Sequence, residues 1–161
     1  INLILSWEPN ARIVLHGVSM GAATVLMASG EDLPGNVKAV IADCGYTSEW
    51  DEFRREADAL HIPWFPVLNA TSVLSKIRDG YDFKQASALA QVKKSRIPTL
   101  FIHGSSDELV PYSMLGELYA AAACEKEELT VEGAGHALSS SVAPTLYWRT
   151  VEDFIAKYLD R

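Results

Sequence analysis

Four short apolar runs in this sequence alternate with longer segments of helical periodicity. That alternation restricts the chain to a parallel sheet covered by helices. The runs span 12–16, 37–43, 99–103 and 129–131. Turn-forming residues precede the first three (Pro9 and Asn10, Pro34 and Gly35, Pro98), and Gly17 and Gly104 close the first and third. Helical patterns are read over 20–29, stopped by Gly30, and over 111–123, with a proline in the first turn. In the last pattern, 144–159, Val151, Phe154, Ile155, Tyr158 and Leu159 draw an apolar stripe on a 3.6-residue period. A short helical end is read over 1–7. With 161 residues and 48% hydrophobic content the chain can bury a core of its own. Residues 1–161 are therefore read as one α/β domain with a parallel sheet of about four strands.

The stretch 46–96 interrupts this order. It is too long for a plain connection and is rich in aromatics, proline and charge, with helical stretches near 48–60, 71–78 and 86–93. It is read as a crossover plus a helical, lid-like insertion over the carboxyl ends of the strands. Trp50, Phe53, Trp64, Phe65, Tyr81 and Phe83 are the aromatics available to line a pocket there or to pack the insertion itself.

Composition excludes several functions. Fourteen basic against 21 acidic residues leave a net charge of −7, which repels nucleic acid and anionic membranes. The densest basic run, Lys93, Lys94 and Arg96, reads as a solvated face. Two cysteines, Cys44 and Cys124, form neither a disulfide framework nor a C-x-x-C site, and the four histidines fall in no metal-ligand spacing, so no metal site is expected. No apolar run has the length of a membrane span, and no signal peptide is visible. The chain is read as soluble, with the cytoplasm the expected compartment, although it starts at Ile1 and an upstream signal or anchor could have been removed.

Chemistry concentrates at three points, each after a strand. Gly17-Val18-Ser19-Met20-Gly21 lies between the first strand and its helix, where small neighbours tolerate a sharp turn presenting the Ser19 hydroxyl at the sheet's carboxyl edge. The Met20 amide, at the start of the helix, faces the place where an oxyanion would develop. A serine hydroxyl is a weak nucleophile near neutral pH and needs a base, and the base needs a group that fixes its tautomer. His136, in a glycine-rich loop after the last strand, is the candidate base. Asp107, after the third strand, is the candidate acid, with Glu108 and Asp43 as alternatives. His16 and His103, each before a glycine at a strand end, are read as hydrogen-bonded structural residues, and His61 belongs to the insertion. The acidic run 125–128 reads as a solvated connection.

Taken together, residues 15–23, 101–111 and 133–136 resemble the α/β-hydrolase superfamily, and more closely its compact bacterial serine-hydrolase and serine-aminopeptidase-like branch. The likeness covers nearly the whole chain. It implies hydrolysis of a carboxylic ester, thioester, amide or peptide bond through an acyl-enzyme, on a small ester or short peptide, with no metal or cofactor. The elbow arrives at residue 19, about four strands earlier than in that superfamily. The chain is therefore expected to be the carboxyl-terminal part of an α/β-hydrolase fold, without the loop that supplies the second oxyanion donor. Loss of one such donor costs on the order of 10²- to 10³-fold in rate. The first strand's open edge would need N-terminal strands, another chain or a second copy as partner. A non-catalytic binding domain of the same fold, or an acyltransferase using the same residues, is the alternative.

Overall fold

The computed structural model describes residues 1–159. Its strands are β1 (Ile13–Val18), β2 (Val37–Asp43), β3 (Thr99–Gly104) and β4 (Lys126–Val131). The helices are α1 (Asn2–Trp7), α2 (Met20–Ser29), α3 (Glu49–Ala59), α4 (Trp64–Asp79), α5 (Ala88–Val92), α6 (Ser113–Ala121), α7 (Ser139–Val142) and α8 (Pro144–Tyr158). The four strands form one sheet in the order β1-β2-β3-β4, and every pair is parallel. Connections of parallel strands must cross a face, so the helices cover both sides and the central strands are buried along nearly their whole length.

The alternation along β2 distributes the core. Val40 and Ala42 face a layer built from Ala22 and Leu26 of α2, Val92 of α5, and Leu115 and Leu118 of α6. Ala39 and Ile41 face the opposite layer, where Tyr147, Val151 and Phe154 of α8 pack on Leu100 and Ile102. The stripe read over 144–159 is thus the buried face of α8. Truncating Phe154, wholly inaccessible to solvent, would cost about 3–5 kcal/mol.

Besides the short α7, where no element was read, two elements depart from the sequence reading. The run 125–128 is not a solvated connection, because Lys126, Glu127 and Glu128 pair with Thr99, Leu100 and Phe101 as the first half of β4. Backbone pairing decides their conformation, and the charges of Lys126 and Glu127 find partners at the edge. Lys126 Nζ donates to the carbonyls of Tyr119 (2.6 Å) and Ala122 (2.8 Å) at the end of α6, and Lys157 Nζ lies 2.7 Å from Glu127 Oε1. The second departure is α4, which begins at Trp64 rather than near 71. Pro66 falls in its first turn, where a missing N–H is tolerated, and a non-helical Phe65 marks the entry.

Several aromatics of 46–96 pack on one another. Phe53 and Phe83 lie 4.9 Å apart between ring centroids, Tyr81 and Phe83 5.9 Å, and Arg54 and Lys84 cover Trp64 and Trp50. Phe53, Trp64 and Phe83 also line an apolar cavity of about 300 Å³ between α3 and α4. No helix among the described residues is long and apolar enough to cross a membrane.

Candidate active site

Parallel strands deliver their carboxyl ends to one edge, and three loops meet there. Ser19 links β1 directly to α2 with φ 55° and ψ −117°, a strained backbone for a residue with a β-carbon. Its amide donates to the Asp43 carbonyl at 2.8 Å, which anchors the turn to the end of β2. Gly17 permits the turn, since a β-carbon there would lie 2.1 Å from the Gly21 carbonyl oxygen. Gly21 itself is not required by such contact: a β-carbon at that position meets nothing within 4 Å. Only the first glycine of the motif is thus sterically enforced among the described residues. Met20 opens α2, so its amide is one of the helix-end donors with no intrahelical acceptor.

The structure brings Ser19, His136 and Asp107 into one hydrogen-bonded line. His136 Nε2 lies 2.8 Å from Ser19 Oγ, and His136 Nδ1 lies 2.9 Å from Asp107 Oδ2. A proton on Nδ1 donated to the carboxylate leaves Nε2 as the acceptor for the serine hydroxyl. Asp107 is held in turn: its Oδ1 accepts from the amides of Leu109 (3.0 Å) and Val110 (2.9 Å). His103, buried beneath, donates from Nε2 to the Val110 carbonyl at 3.1 Å and lies 3.3 Å from Asp107 Oδ2. The Asp107 side chain is fully inaccessible to solvent and that of His136 is 20% exposed, so the line runs from the interior to the surface.

The other candidates fall elsewhere. Glu108 is exposed in the same loop. Asp43 is buried, and its Oδ1 accepts from Ser139 Oγ at 3.0 Å, while Tyr147 supplies a second side-chain hydrogen bond. Desolvation raises its pKa, opposed by those two donors and by His103 and His16. His16 bonds through Nε2 to the Tyr147 hydroxyl at 3.0 Å, and burial lowers its pKa. His61 is exposed in the insertion.

Some neighbours of this line are visible only in three dimensions. Cys44 follows β2 with φ 47°, and Ala137 follows His136 with φ 57°, so strained residues flank the site on one further loop and on the His136 loop itself. Cys44, Asp107 and His136 offer ligand atoms within 4.8 Å of one another. Burial and the nearby Asp43 charge push the Cys44 thiol up to about 12, which opposes the thiolate a metal would need. From the insertion, Arg55 of α3 pairs with Glu52 and donates to the Leu109 carbonyl, which ties α3 to the Asp107 loop. Burial raises the Glu52 pKa, with Arg55 opposing. A cavity of about 390 Å³ lined by Met20, Thr24, Met27, Tyr46, Glu49 and Tyr81 adjoins the start of α2. The sequence signal for Cys44, Tyr46, Glu49, Glu52, Arg55 and Ala137 was weak, because none of them lies in a motif.

Comparison with known proteins places this arrangement. The profile of the prolyl oligopeptidase family matches residues 6–161. The uncharacterized protein YqkD of Bacillus subtilis (strain 168) is 33% identical over 146 residues, spanning 89% of this chain and 47% of that protein. The chain thus spans about half the length of this curated relative. Among solved structures, the esterase domain of a Rhodothermus marinus protein superposes with a TM-score of 0.68 at 21% identity, covering 98% of this chain and 65% of its own. The acylaminoacyl peptidase of Pyrococcus horikoshii superposes with a TM-score of 0.71 at 17% identity, covering 99% of this chain and 26% of its own. The sheet and its flanking helices match the carboxyl-terminal part of an α/β-hydrolase fold.

Proposed function

This chain belongs to the prolyl oligopeptidase family, and from that premise we propose that it carries the acyl-transfer centre of a serine hydrolase, with Ser19 as nucleophile, His136 as general base and Asp107 as the acid that orients it. The substrate class is a carboxylic ester, thioester, amide or peptide of small size. The observation that carries the reading is the continuous Ser19–His136–Asp107 line on a strained turn.

In the proposed reaction the Ser19 oxygen attacks the substrate carbonyl carbon as its proton passes to His136 Nε2. The carbonyl π pair moves to oxygen, and the Met20 amide donates to that oxyanion. Collapse breaks the bond to the leaving group, which takes the proton from His136 and leaves an acyl ester on Ser19. Water, deprotonated by His136, attacks the ester and restores the serine hydroxyl. Asp107 stays ionised and stabilises the imidazolium. The second oxyanion donor comes, in this fold, from the loop after the third strand of the complete sheet. Strands completing that sheet on the open edge of β1 are the partner we assign to it.

Intact mass after treatment with a fluorophosphonate tests the reading. The full-length gene product is expected to gain one adduct, which Ser19→Ala abolishes. A folded protein that gains none would turn the assignment toward a non-catalytic binding domain.

A further inference from the structure

Asp43 connects the two halves of the site without touching the reacting atoms. Its main-chain carbonyl accepts the Ser19 amide at 2.8 Å. Its carboxylate, 1% exposed, accepts the Ser139 hydroxyl at 3.0 Å. Ser139 is wholly buried, opens the short α7, and lies three residues beyond His136. The intervening Ala137 holds a left-handed backbone conformation that a residue with a β-carbon disfavours. A loop strained in this way keeps its shape only if both sides are fixed. Before the strained residue, the Ala134 carbonyl accepts the Ser106 amide at 3.0 Å, and after it the Ser139 hydroxyl is fastened to Asp43.

The rest of the Asp43 environment supports the same role. The Tyr147 hydroxyl hydrogen-bonds the carboxylate and also lies 3.0 Å from His16 Nε2. Two hydroxyl donors and two neighbouring imidazoles thus face a carboxylate that burial would otherwise disfavour. A buried acid at a sheet end needs no such network if an apolar residue would pack as well. We infer that Asp43, acting through Ser139, is a positioning residue that fixes His136 relative to Ser19, a single strut joining the nucleophile's turn to the base's loop. The inference rests on the proposed roles of Ser19 and His136.

The test is the rate of fluorophosphonate labelling as a function of probe concentration in the full-length gene product. Ser139→Ala is expected to lower the maximal labelling rate about ten- to a hundredfold, the penalty of a misplaced base, while the half-saturating concentration stays at the parental value. Ser72→Ala removes a buried hydroxyl that bonds Asp82 and the Phe83 amide in the insertion. It is expected to lose comparable thermal stability and to label at the parental rate. If Ser139→Ala does not fold, Asp43→Asn, which keeps the shape and an acceptor oxygen but loses the charge, is read in its place with a fall of about three- to tenfold. A folded Ser139→Ala, or in its place Asp43→Asn, that labels at the parental rate overturns the strut and leaves the nucleophile assignment intact. So does a loss that appears only in the half-saturating concentration. A parent protein that does not label overturns the nucleophile assignment and the strut with it.

Discussion

Gly104 and Ala134 approach so closely that a β-carbon added at Gly104 would lie 2.2 Å from the Ala134 carbonyl oxygen. The loop carrying Asp107 and the loop carrying His136 are therefore in van der Waals contact through main chain alone. The Ser106 amide, which donates to that same carbonyl at 3.0 Å, completes the join. Gly104→Ala must push the loops apart. Overpacking of this kind costs about 1–3 kcal/mol, which for a domain of this size lowers the melting temperature by roughly 2–12 °C. Thermal denaturation followed by circular dichroism checks it, and an unchanged melting temperature would show that the contact relaxes freely.

The two glycines of the serine turn are predicted to behave oppositely. Gly17→Ala places a β-carbon 2.1 Å from one main-chain oxygen and 2.7 Å from the Ala22 nitrogen, so the turn cannot close and labelling of Ser19 should vanish. Gly21→Ala meets nothing within 4 Å and replaces glycine in a helix, a change worth about 0.5–1 kcal/mol in favour of folding. It should retain labelling. Equal damage from both substitutions would contradict this account of the turn.

Asp107→Asn keeps the shape of the acid but invites the wrong imidazole tautomer, because its amide can donate to Nδ1. Turnover of an activated ester should fall on the order of 10⁴-fold, with folding little changed. A folded Asp107→Asn protein that turns the ester over at the parental rate would remove Asp107 from that role.

Asp43 yields a stability prediction with a definite sign. Burial raises its folded pKa above the ordinary 3.8, so between that value and the raised one the native state binds more protons than the unfolded chain. Stability associated with this group is full below 3.8 and is lost as pH rises through the folded pKa. Asparagine does not titrate. The melting temperature of Asp43→Asn relative to the parent should therefore climb as pH rises from about 3.5 toward neutrality. A relative melting temperature that falls over that range would show the carboxylate to be stabilised rather than strained by its surroundings.

Much of this molecule is determined by sequence alone. The parallel sheet follows from apolar runs too continuous for a half-solvated strand, and the limits of α2 and β2 coincide with Met20–Ser29 and Val37–Asp43 because caps, glycines and prolines mark them locally. Ser19, Asp107 and His136 were legible because each belongs to a short motif after a strand, and parallel strands carry such positions to one edge. The missed half of β4 had no local signal. Lys126, Glu127 and Glu128 have poor strand propensity, and only the ladder with β3 makes them extended.

What the tertiary structure alone decided is which partners hold each of three similar carboxylates. Asp43, Asp107 and Glu108 are all carboxylates near a sheet edge in the sequence. The Leu109 and Val110 amides turn Asp107 toward His136, whereas Ser139 and Tyr147 engage Asp43. Those partners lie from two to more than a hundred positions away along the chain, and hydrogen-bond geometry at such separations is fixed by packing rather than by local propensity. The same reason hid the close passage of Gly104 under Ala134 and made Gly21, a member of the motif, sterically free.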